Sequence, residues 1–96
     1  MVVSKHPIDE RHLTGLLLTA GKAMASMPEG RRVVEQLKKA TSRDDLLFLL
    51  RSADLSLADP ARNVVMGAAS KDWENVRSTL LRSAEVTLHD LYSGNA

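Results

Sequence analysis

Apolar residues recur along this chain at intervals of three and four, the spacing that gathers them on one side of an α-helix. In the first third, Leu13, Leu17, Ala20, Met24 and Met27 follow one another at steps of four, three, four and three, and Leu16 widens the stripe. The pattern starts after Pro7 and contains Gly15 and Gly21. A glycine there either costs about 1 kcal/mol against alanine or admits a closely packed neighbour. Met27-Pro28-Glu29-Gly30 interrupts the stripe, and Ser26 with Glu29 has the form of a capping box for a second helix. That helix turns Val33, Val34, Leu37 and Ala40 inward. Ser42 reads as the cap of a third, with Asp44 and Asp45 in its first turn, where the helix dipole favours acids. Its run Leu46-Leu47-Phe48-Leu49-Leu50 is apolar nearly all round, which places it centrally. Asp59-Pro60 reads as a cap followed by proline at the first helical position. Ala61, Val64, Val65, Ala68 and Ala69 then share one side. Ser70 is expected to cap the last and longest helix, whose stripe is Trp73, Val76, Leu80, Ala84, Thr87, Leu88 and Leu91, with Gly94 as terminator.

No segment alternates with the period of two that a half-buried strand shows. The expectation is therefore all-α: a compact bundle of five helices, connected near 26–30, 40–43, 54–59 and 69–71. A chain of 96 residues supports one core, so a single domain spanning 1–96 is expected, with any disorder confined to 1–6 and 94–96. The only aromatic residues are Phe48, Trp73 and Tyr92, which makes the core aliphatic, with Trp73 and Phe48 inside it. Without cysteine there are neither disulfides nor thiolate metal sites. The longest strongly apolar run, Leu16-Leu17-Leu18, falls far short of the roughly 20 residues of a membrane span, and no apolar leader follows Met1. The expected setting is cytoplasmic, away from membranes.

Candidate chemistry adds little. Gly15-Leu-Leu-Leu-Thr-Ala-Gly21-Lys22 resembles a phosphate-binding loop, but its glycines are one residue too far apart, Ala23 replaces the metal-holding hydroxyl and no strand precedes it. His6 and His12, with Asp9 and Glu10, lack the His-x-x-x-His spacing that sets two imidazoles on one helical face. His89 and Asp90 are adjacent in sequence and diverge on a helix. The acidic pairs Asp9-Glu10 and Asp44-Asp45 compensate helix dipoles without catalysis. No residue set meets the demands of a catalytic site. The expectation is a non-enzyme with no cofactor, no metal and no small-molecule substrate.

Net charge is only +1, so its distribution matters more than its sum. Between positions 31 and 43 lie Arg31, Arg32, Lys38, Lys39 and Arg43 against a single acid, Glu35. With Val33, Val34 and Leu37 inward, the basic side faces out, as a ridge suited to phosphate backbones. The same arrangement also fits a solvated face on which Glu35 pairs with Arg31 or Lys39. Arg77 sits on the shoulder of the last stripe, placed to snorkel along the core edge or to reach a partner from a groove. Arg62 and Arg82 are further outward cations. With so few rings, binding of RNA or DNA would be electrostatic and independent of sequence rather than by base stacking.

A small, cysteine-free helical bundle with a moderate basic ridge resembles the small subunit of multi-subunit CRISPR effector complexes. The segment from Arg62 to Tyr92 carries the likeness: an Ala-rich helix, then Lys71-Asp72-Trp73-Glu74-Asn75-Val76-Arg77 opening a long one. The resemblance implies a non-catalytic subunit that stacks with further copies of itself beside other protein subunits and contacts nucleic-acid strands. It lends no individual residue a role. The nominated contacts, Arg31, Arg32, Lys38, Lys39, Arg43 and Arg77, come from charge and spacing. The alternative is a homo-oligomeric protein–protein module (an adaptor, an antitoxin-like regulator or a phage accessory protein) with no nucleic-acid role. Leu55 and Leu57 would be candidates for its apolar patch.

Overall fold

The computed structural model describes residues 10–92. They form five helices: α1 (Glu10–Ser26), α2 (Gly30–Lys39), α3 (Arg43–Ser52), α4 (Asp59–Lys71) and α5 (Trp73–Tyr92). Among the described residues there is no strand. The all-α bundle expected from the periodicity is the fold observed. His6, Asp9 and Gly94, and the terminal segments expected to hold any disorder, lie outside the described residues.

The most extensive helix pairing joins α1 and α5. The two run parallel: Leu13 and Thr14 share a groove with Asn75 and Val76, and about two turns further Leu18 and Lys22 share one with Ser83 and Val86. Gly21 permits the approach. A Cβ at that position would lie 2.6 Å from the Leu80 carbonyl oxygen and 2.8 Å from the Ser83 Cβ. At the same crossing the Ser83 hydroxyl donates to the Leu18 carbonyl at 2.8 Å. Gly15 does no such work, because a Cβ there would meet nothing within 4 Å.

Helix α2 returns antiparallel to α5, packing Val34 against Ala84 and Leu88. α3 and α4 close the other side, and Leu17, Met24, Leu37, Leu46, Leu50, Val65, Val76 and Leu80 form the fully buried centre. No polar or charged residue among those described is buried. Apolar burial, at about 25 cal/mol per Å², is thus the term that holds the bundle together. Among the described residues no helix is long and apolar enough to cross a membrane.

Several local expectations are corrected. Phe48 is 71% exposed rather than central. Leu46, Leu49 and Leu50 already occupy the buried side of α3, and position 48 falls nearly opposite Leu46 and Leu50 at about 100° per residue. Leu91 is exposed and Thr87 and Leu88 are half-buried, so the stripe of α5 ends at Ala84 in its fully buried form. Leu55 is buried and Leu57 half-buried against the core, which removes both as an exposed patch. The caps divide the same way. Ser42 accepts from the Asp45 backbone N–H at 3.1 Å, as expected. Ser26 instead donates back to the Lys22 carbonyl, and α2 starts at Gly30 behind Glu29 with no side-chain cap. Ala58, not Asp59, flanks α4. Ser70 remains inside α4, and the break before α5 is the single residue Asp72.

Candidate nucleic-acid interface

Gly30, Val33, Val34 and Leu37 are the buried residues of α2. They fix which way its cations point. Arg31, Arg32, Glu35, Gln36, Lys38 and Lys39 are all exposed. At about 100° per residue, the four cations fall within roughly 120° of the helix circumference. Arg32 and Lys39 point most directly outward. Arg31 and Lys38 lean toward α5, and their contacts agree with this: the Arg31 guanidinium lies 4.4 Å from the centre of the Tyr92 ring, and Lys38 Nζ is 3.3 Å from Glu85 Oε2.

The neighbours of each cation differ. Arg32 lies 3.9 Å from Glu29, with both side chains about 70% exposed. Lys38 approaches Glu35 at 3.8 Å as well as Glu85. Glu35 therefore pairs with Lys38, not with the Arg31 or Lys39 that spacing suggested. Lys39 makes no ion pair, ring contact or side-chain hydrogen bond among the described residues. Arg43, 3.9 Å from Asp44, sits in a shallow groove with Ser42, Ser70, Lys71 and Trp73. Exposed pairs at such separations are worth about 0–1 kcal/mol. They leave the cations able to exchange a carboxylate for a phosphate.

Arg77 is placed differently from the rest. Its guanidinium points at the C-terminal end of α2, where Nη1 donates to the Lys38 carbonyl at 3.4 Å, and it lies 5.9 Å from the Trp73 ring centre. Its Nε is buried without a partner. Arg62 of α4 does the equivalent for α3, donating to the Arg51 carbonyl at 2.9 Å. Each arginine satisfies a carbonyl that its helix end leaves open.

Sequence reasoning missed two members of this surface. Glu85 and Tyr92 come from α5, far along the chain from the cations they meet, and no local pattern announces a contact across that separation. Lys71, expected to open the last helix, instead ends α4 and lines the groove beside Arg43. Among the described residues, no three His, Asp or Glu side chains gather as a metal site. No protein-family model, curated protein or solved structure matches this chain.

Proposed function

We propose that this chain is a non-catalytic helical subunit of a nucleic-acid-containing assembly, holding the phosphate backbone on the outward face of α2. The contacts are Arg31, Arg32, Lys38 and Lys39, continued by Arg43 at the exit of the α2–α3 turn. The observation that carries this reading is the shared outward projection of the α2 cations, with Lys39 open, Arg32 no nearer than 3.9 Å to Glu29, and only Lys38 drawn to a carboxylate at 3.3 Å. Such a surface recognises charge and spacing rather than base identity. Arg77 is left out of the contact set, because its guanidinium is turned onto the end of α2.

The kind of assembly follows the resemblance drawn from Arg62 to Tyr92: an RNA-guided CRISPR effector ribonucleoprotein, with this chain among other protein subunits. The near-neutral net charge fits a subunit seated mainly by protein contacts, whose own grip on the strand is modest.

Fluorescence anisotropy with a labelled single strand and a duplex, titrated across salt, tests the contact set. Each phosphate contact contributes about −0.7 to the log–log salt slope on a single strand and about −0.9 on a duplex. The Arg31→Glu, Arg32→Glu double variant is expected to keep its helicity and lose binding, while Arg11→Glu on α1 binds as the parent does. Equal low-salt affinity of parent and double variant would remove the α2 face from consideration.

A further inference from the structure

The outer groove between α1 and α5 lies apart from the α2 surface. It is lined by Leu18, Thr19 and Lys22 from α1 and by Arg82, Ser83, Val86, Thr87 and Asp90 from α5. Leu18 and Val86 are 45% and 57% exposed, so two large aliphatic side chains face water here. Lys22, Arg82 and Asp90 are the formal charges of the lining, and among the described residues none of them has an ion-pair partner. The remaining side chains, Thr19, Ser83 and Thr87, are small.

These charges have an order. Arg82, Val86 and Asp90 are spaced four and four along α5 and all line the groove. Val86 is central, with a cation one turn before it and an anion one turn after. Rotation by a half-turn about an axis through Val86, perpendicular to the helix, exchanges the two ends. A second copy docked in that way sets its Asp90 against Arg82, its Arg82 against Asp90, and Val86 against Val86. A self-complementary patch of this kind is what a two-fold interface requires, because the same residues must serve both sides.

We infer that the α1–α5 groove is a two-fold docking surface for a second copy of this chain, the α5 helices crossing antiparallel at Val86 with reciprocal Arg82–Asp90 pairs. Such contact is closed: it makes a dimer and stops. It leaves the α2 cations of both copies uncovered and does not depend on nucleic acid.

Sedimentation equilibrium of the full chain without nucleic acid tests the inference. The parent is expected to dimerise with concentration and Val86→Lys to remain monomeric, both with unchanged far-ultraviolet circular dichroism. Arg82→Asp and Asp90→Arg, made singly, each place like charges opposite one another and should weaken the dimer by about tenfold or more. The double variant restores the opposite-charge pairs in reversed order and should return to within a few-fold of the parent. A parent that stays monomeric at several hundred micromolar overturns the inference. So does a double variant that associates no better than its singles.

Discussion

Arg77 of α5 donates to the Lys38 carbonyl in the last turn of α2, across 39 positions of sequence. The carbonyls of a helix end lack intrahelical donors and carry the negative pole of the dipole, so a guanidinium set against them ties two helices together electrostatically. The bond is long at 3.4 Å and the Nε is buried unpaired, so the gain is moderate. The same guanidinium lies 5.9 Å from the centre of the Trp73 ring, within reach of the attraction between a cation and an aromatic face. Arg77→Ala is expected to destabilise the fold by about 1–2 kcal/mol. It should leave the salt slope of nucleic-acid binding unaltered at temperatures where the variant is folded. Urea unfolding and anisotropy on the same preparation check both halves. A changed slope with full stability would return Arg77 to the contact set.

The two glycines of α1 have opposite expected responses to one added methyl group. At position 21 the Cβ would press on the Leu80 backbone and on Ser83, so Gly21→Ala must push α1 off α5 and should cost about 1–3 kcal/mol. At position 15 nothing stands within 4 Å, so Gly15→Ala should gain about 0.5–1 kcal/mol from helix propensity and the stiffer unfolded chain. The difference in urea midpoints reads both. Equal effects would mean that α1 and α5 are not in close contact at Gly21.

That contrast shows where the sequence is informative. The stripes of α1, α2 and α4 were legible because amphipathic periodicity depends only on which side of a helix faces the core, and Val33, Val34, Leu37 and Ala40 are all buried as expected. Ser42 was legible because a cap is a local contact. Ser26 and Ser70 were not, because a serine followed by a glutamate or a tryptophan fits a helix interior as well as a start, and a neighbouring turn decides between them. On the α2 surface the outward projection of the cations could be read from the inward residues. Their partners Glu85 and Tyr92 could not, since that pairing exists only once α2 has folded back along α5.

Glu85 gives the proposed contact surface a second test. It stands 3.3 Å from Lys38, the shortest ion pair found among the described residues, and competes there with any phosphate. Glu85→Gln keeps the shape of the side chain and removes its charge. Affinity for a single strand at low salt should rise by about two- to fivefold, an effect the size of one exposed pair. Asp54→Asn is the matched control: it changes net charge equally, in the α3–α4 connection, and should have a smaller effect. An increase of the same size in both would reduce the result to net charge.

Phe48 and Leu50 are near neighbours in one apolar run, yet they fall on opposite sides of α3, one 71% exposed and the other fully buried. Loss of a buried leucine removes its transfer free energy and leaves a cavity in a core that relaxes only partly, so Leu50→Ala should cost about 2–5 kcal/mol. An exposed aromatic contributes little to folding, because it stays in water in both states. Phe48→Gln should therefore change stability by no more than about 0.5 kcal/mol, with a small gain from helix propensity offsetting whatever contact the ring makes with its own helix. Thermal or urea unfolding of the two variants side by side measures the contrast directly. Comparable losses for both would place Phe48 under cover, and the cover would have to come from another copy or from residues outside 10–92.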